Sequence, residues 1–194
     1  MARQKEFDRE AAIASATQIF WGRSYEATTT SDLLNGMQIA RQSLYDTFGD
    51  KHRLYIEALR RYSVGNIREF SRLAKRSPSP LAAIRTMLLS VAEGTEEARA
   101  RGCLGVQSVC DFGGSDPEVM AIGQMASSLF RETLAQVLCD AKKANELPDK
   151  LDEHKAAKTL HAFMLGLRVR ARAGDGVQDL RDAAECLLDG WLHN

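Results

Sequence analysis

Apolar residues recur along this chain at three-to-four spacing, the interval that lines one face of an α-helix. No run of β-branched residues alternates with period two, so the pattern offers no source for a sheet. In the first periodic segment, about 6–21, Ala12, Ile13, Ala16, Ile19 and Phe20 form the stripe. A Thr/Ser cluster from Thr28 to Ser31 supplies N-caps for a second helix, about 30–36, with Leu33 and Leu34 inward and Asn35-Gly36 as its stop. A third helix, about 40–47, ends at the Gly49-Asp50 break, which also caps a long fourth helix over about 51–75. Leu54, Ala58, Tyr62 and Ile67 lie on one side of that fourth helix. Ser77-Pro78-Ser79-Pro80 cannot continue it. Beyond lie helices at about 80–98, 102–111, 116–144, 151–173 and 177–192. The expected fold is all-α, with about nine helices: a three-helix, helix-turn-helix head over residues 1–50, then a connecting helix and a C-terminal helical body over 51–194.

The head carries the chemistry. Leu33, Ile39, Leu44 and Phe48 are spaced to share one small core with Ile13, Phe20 and Tyr55. That leaves Arg41, Gln42, Ser43, Tyr45, Asp46 and Thr47 on the outside or rim of the third helix. In a major groove Arg can fork onto guanine, Gln onto adenine, Asp can accept from a cytosine amino group, and Thr can touch a thymine methyl. Ser43, Tyr45 and the hydroxyls of Thr28, Thr29 and Thr30 suit phosphate oxygens. Lys51 sits at the start of the fourth helix, where free N–H groups and the helix dipole favour an anion. Pattern alone leaves a solvated amphipathic helix in an ordinary bundle as an equal alternative.

A resemblance separates the two. The segment from Ser24 to Leu59, through Tyr25, Ala27-Thr28, Asp32-Leu33, Ile39, the Ser43–Phe48 run "SLYDTF" and Gly49-Asp50-Lys51, resembles the DNA-binding domain of TetR-family (TetR/AcrR-like) transcriptional regulators. "RGCL" at 101–104 and "HAFMLGLRVRARAG" at 161–174 look like the ligand-binding domain of one branch of that family. The resemblance implies a homodimer, with Tyr45 and Lys51 on phosphate and the start of the third helix reading bases. Three features depart from the family pattern. Ser24 and Gln38 stand where the family usually has Gly, and Asp46-Thr47 stands where it commonly has Tyr-His. A non-Gly residue at positive φ in the turn carries about 1 kcal/mol of strain, unless Gly36 takes over the turn two residues earlier.

Composition changes this picture little. Lys+Arg and Asp+Glu both number 26, so formal charge is zero, but residues 1–76 carry +4 and residues 77–194 carry −4. A basic front half suits an anionic partner such as double-stranded DNA. No apolar run approaches the roughly 20 residues that span a bilayer, and the charged N-terminus is no signal peptide, so a cytoplasmic location and no membrane partner are expected.

Cys103, Cys110, Cys139 and Cys186 lack metal spacing and are read as free thiols, with no metal and no cofactor expected. His52, His154, His161 and His193 are isolated, and with no nucleophile–base pairing or phosphate loop the chain is not expected to be an enzyme. A thiol-based redox sensor on the same scaffold is the alternative reading. If Cys103 and Cys110 share one helix they stand about 10 Å apart, beyond the reach of a disulfide.

In the body, Gln107, Ser108, Gln124, Met125 and Ser128 lie among apolar positions and are the candidate ligand-binding residues for an unidentified, uncharged or weakly polar small-molecule effector. The helices at 151–173 and 177–192 bear broad apolar faces. They could cap the core or, two from each partner, form a four-helix interface; the resemblance favours a homodimer interface in the region of Leu160, Phe163, Met164, Leu187 and Trp191. A dimer would present two reading helices to a near-palindromic operator. The combined expectation is a dimeric repressor, released from its operator by a small molecule.

Overall fold

The computed structural model describes residues 7–192, and among these every regular element is an α-helix. They are α1 (Arg9–Arg23), α2 (Thr30–Met37), α3 (Arg41–Phe48), α4 (Lys51–Arg76), α5 (Pro80–Glu93), α6 (Glu96–Arg101), α7 (Leu104–Phe112), α8 (Pro117–Lys143), α9 (Glu153–Arg172) and α10 (Val177–Leu192). The all-α fold with a helix-turn-helix at its N-terminal end is therefore the one expected. Expected and observed helix ends agree within a few residues, with two exceptions. The segment read as one helix over 80–98 is two, because Gly94 is extended (ψ 158°) and the Thr95 hydroxyl accepts from Ala98 N–H to start α6. Cys103 precedes α7 rather than lying within it, so the one-helix spacing assumed for Cys103 and Cys110 does not apply. The expected start of the first helix at residue 6, and His193, lie outside the described residues.

The chain forms two compact units that do not follow the sequential division at residue 50. One contains residues up to Val64 together with Leu104–Gly123; the other contains Gly65–Cys103 and the residues from Gln124 onward.

The first unit is built on the predicted small core: Ile13, Phe20, Leu33, Leu44, Phe48 and Tyr55 are all buried together, with Ile39 packed at the margin. Leu104, Val119 and Ile122 join them from α7 and the start of α8. Asp8 caps α1, its carboxylate accepting from Glu10 and Ala11 N–H. Thr29 caps α2 in a reciprocal box with Asp32. Asp50 accepts from Arg53 N–H at 2.8 Å at the head of α4. Helix α2 runs through Gly36 to Met37, and the chain turns at Gln38 in the left-handed conformation (φ 56°, ψ 41°). Gly36 does not make the turn; a Cβ there would meet the tip of the Ile19 side chain of α1.

In the second unit α5, α9 and α10 pack on one another around Ile84, Leu88, Leu160, Leu167, Leu180, Ala184 and Leu188. Phe70, Leu134 and Leu138 complete that core. Ion pairs Arg85–Glu185 and Arg181–Glu93 flank the α5–α10 contact. The N-terminus of α5 is closed by Ser79, which accepts from Ala82 N–H, and by Glu146, which accepts from Leu81 N–H at 2.9 Å.

Candidate nucleic-acid interface

Helix α3 has only eight residues, and its sequence divides them cleanly. Leu44 and Phe48, one turn apart, are buried, while Arg41, Gln42, Tyr45 and Asp46 are exposed. Those four occupy positions i, i+1, i+4 and i+5, so they form one outward stripe. Ser43 and Thr47 are half-buried along its edge. Gln42 Nε2 donates to Asp46 Oδ1 at 2.8 Å. Among the described residues Arg41 has no ion-pair partner, whereas Arg9, Arg23, Arg60 and Arg61 are matched to Glu57, Asp32, Glu118 and Glu10. The cation exposed on the stripe is thus Arg41.

Two of the three threonine hydroxyls are engaged within the protein. Thr28 is buried and its hydroxyl donates to the Ser24 carbonyl at 2.6 Å, which withdraws it from the surface. The Thr29 hydroxyl is engaged with Asp32 in the capping box. Thr30 is half-buried at the first position of α2.

Lys51 opens α4, and its ammonium lies 4.2 Å from the centre of the Tyr25 ring. Tyr25 is the hub beneath it. Its ring contacts Phe20, Tyr55 and Phe112, and its backbone N–H donates to Asp111 Oδ2 at 2.9 Å. Burial, followed by the charges of Glu26, Asp50 and Asp116, pushes the Tyr25 phenol up, so it stays neutral at physiological pH. His52 Nε2 lies 2.5 Å from Asp116 Oδ2, while Asp116 Oδ1 accepts from Glu118 and Val119 N–H. The Asp116 carboxyl is held below its ordinary value chiefly by the Val119 N–H, with the His52 hydrogen bond adding to it. Asp111, Phe112 and Asp116 thus support the helix-turn-helix from 60 or more positions away, and sequence reasoning missed all three. The sequence marked only a helix start near 116.

Of the candidate ligand residues, Gln107 and Ser108 are buried in this same unit. The Ser108 hydroxyl donates to the Gly105 carbonyl, but neither amide atom of Gln107 has a protein partner. The Tyr55 hydroxyl, beside Ser108, is buried and also without one, and burial drives its phenol far above its ordinary value. In the second unit Gln124 and Met125 are exposed, Met125 by 63%, so both face away from that unit's interior. Ser128 is half-buried beside Glu132.

Residues 12–58 match the family model described as bacterial regulatory proteins, tetR family, and residues 80–187 match the tetracyclin repressor-like C-terminal domain. The chain belongs to the TetR family. It is a DNA-binding transcriptional regulator, in a family of regulators and not of enzymes. An uncharacterised HTH-type transcriptional regulator YezE of Bacillus subtilis (strain 168) is 30% identical over 97% of this chain and 100% of its own length. The HTH-type transcriptional repressor ComR of Escherichia coli (strain K12) is 26% identical over 97% of this chain and 91% of its own. Among solved structures, a cysteine mutant of the TetR-family regulator CifR complexed with 26-bp double-strand operator DNA is 27% identical. It covers 98% of this chain and 100% of its own, with a TM-score of 0.73. No helix among the described residues is long and apolar enough to cross a membrane.

Proposed function

We propose that the chain is a cytoplasmic, homodimeric repressor whose two α3 helices read the half-sites of a near-palindromic duplex. The supporting observation is the exposed Arg41–Gln42–Tyr45–Asp46 stripe, with Lys51 at the start of the helix that follows. Arg41 and Gln42, at the leading end of α3, contact base edges; Tyr45, Ser43 and Lys51 contact phosphates. ComR's description as a repressor and the operator complex of CifR support the same reading. A weakly polar small molecule that engages Gln107 and Ser108 shifts α4 and changes the spacing of the two reading helices. Phe163, Leu187 and Trp191, each partly exposed, contribute to the dimer contact.

The experiment is a salt titration of binding to a duplex that the full-length protein selects from a randomised library. Lys51→Ala should weaken binding to all sequences alike and lower the slope of log K against log salt by about one, the signature of one lost phosphate contact. An unchanged slope removes Lys51 from the interface.

A thiol-switched form of the same regulator is the second reading. The operator-bound relative was solved as a cysteine mutant, and here Cys110 and Cys186 are exposed. Thiol titration of the native protein, with duplex affinity measured before and after oxidation, separates it: unchanged affinity leaves the cysteines as packing residues.

A further inference from the structure

The hydrogen bond between Gln42 and Asp46 decides what Gln42 can read. A carboxylate only accepts, so the atom of the Gln42 amide that faces Asp46 Oδ1 at 2.8 Å is the nitrogen. The amide is thereby fixed in one of its two flipped orientations. One of its two N–H groups is used by Asp46, which leaves one donor and the carbonyl oxygen, an acceptor, side by side. In the major groove adenine offers an acceptor (N7) and a donor (N6), which matches that pair. Guanine offers two acceptors (N7 and O6), one of which would face the Gln42 oxygen.

We propose that Asp46 is a positioning residue that restricts Gln42 to adenine over guanine. The inference rests on the reading above, in which the outer stripe of α3 enters the groove. The same i, i+4 pairing recurs at Gln136–Asp140 (3.1 Å) and Gln178–Asp182 (2.7 Å), so it is a geometry these helices adopt without a ligand. On α3 both partners stand on the outward stripe, so the fixed amide is presented outward. The Asp46 charge also repels phosphate, which sets a second, opposite effect: its removal strengthens binding to every sequence while it weakens discrimination.

The test uses the full-length protein and single-base variants of its library-selected duplex. Gln42→Ala first locates the base position that Gln42 reads. At that position the wild type should prefer A·T over G·C on the order of tenfold. Asp46→Asn keeps a hydrogen bond but allows either amide orientation. It should bring the A-to-G ratio several-fold closer to one while overall affinity rises, and Asp46→Ala should do the same. If Gln42→Ala alters no single position, the base-reading role fails and the inference fails with it. If one position responds but the wild type prefers guanine there, or both Asp46 variants keep the wild-type ratio, Gln42 still reads a base and the positioning role of Asp46 is wrong.

Discussion

One carboxylate, Asp116, uses one oxygen to cap α8 and the other to hold His52 at 2.5 Å, so the start of α8 is tied to the first turn of α4, next to Lys51. Asp116→Asn preserves a capping side chain and removes the charge that faces His52. It should cost about 1 kcal/mol, the worth of a partly screened pair. His52→Gln should cost a similar amount, and the double variant much less than the sum, read from chemical denaturation as a double-mutant cycle. Full additivity would mean that the two side chains do not interact. The sign of the pH effect follows from the depressed carboxyl: its stabilisation is present above the ordinary value of 3.8 and is lost as pH falls through the lowered one.

Ser24 adopts φ 80° and ψ 165°, a conformation that glycine adopts readily and other residues do at a cost. Ser24→Gly should stabilise the protein by about 1–3 kcal/mol, less any loss of its weak 3.4 Å bond from Ala27 N–H. A higher denaturation midpoint with unchanged m-value is the expected result. No gain would show that the turn relaxes in solution.

Gln107 hides both amide atoms without a protein partner. Gln107→Leu should therefore stabilise the free protein by about 1–3 kcal/mol, because an apolar group of similar size has no unmet hydrogen bonds. The same variant should stay on its operator in the presence of an effector that releases the wild type. Stabilisation without altered release would make Gln107 a purely structural anomaly.

Leu160 and Met164 lie in the core of their own protomer, unlike the partly exposed Phe163, Leu187 and Trp191. Leu160→Asp should destabilise folding by on the order of 4 kcal/mol or more, a loss of fold rather than of dimer. Trp191→Asp should leave helicity intact and yield monomers by analytical ultracentrifugation. A folded, dimeric Trp191→Asp protein would move the interface elsewhere.

The sequence by itself determined most of the helices and the outward face of α3. The period of Leu44 and Phe48 against Arg41, Gln42, Tyr45 and Asp46 survives folding because α3 is too short to bury more than one side. Caps at Thr29 and Asp50 were legible because a cap is satisfied within a few residues. At Gln38 the sequence left two turns open, since strain at a left-handed residue depends on what the surrounding packing forces. The structure places the turn at Gln38 and keeps Gly36 inside α2, facing the Ile19 side chain of α1.

Only the tertiary structure decided which hydroxyls remain outside. Thr28 and Thr30 look alike in sequence, yet Thr28 turns inward to the Ser24 carbonyl. It also placed Asp111, Phe112 and Asp116 beneath Tyr25 and His52. These contacts join positions 64 to 87 residues apart; neither helix periodicity nor a local motif records them, because both reach only a few turns along the chain. For the same reason the sequence could mark Leu160 and Trp191 as apolar but could not say which one the protomer keeps for its own core.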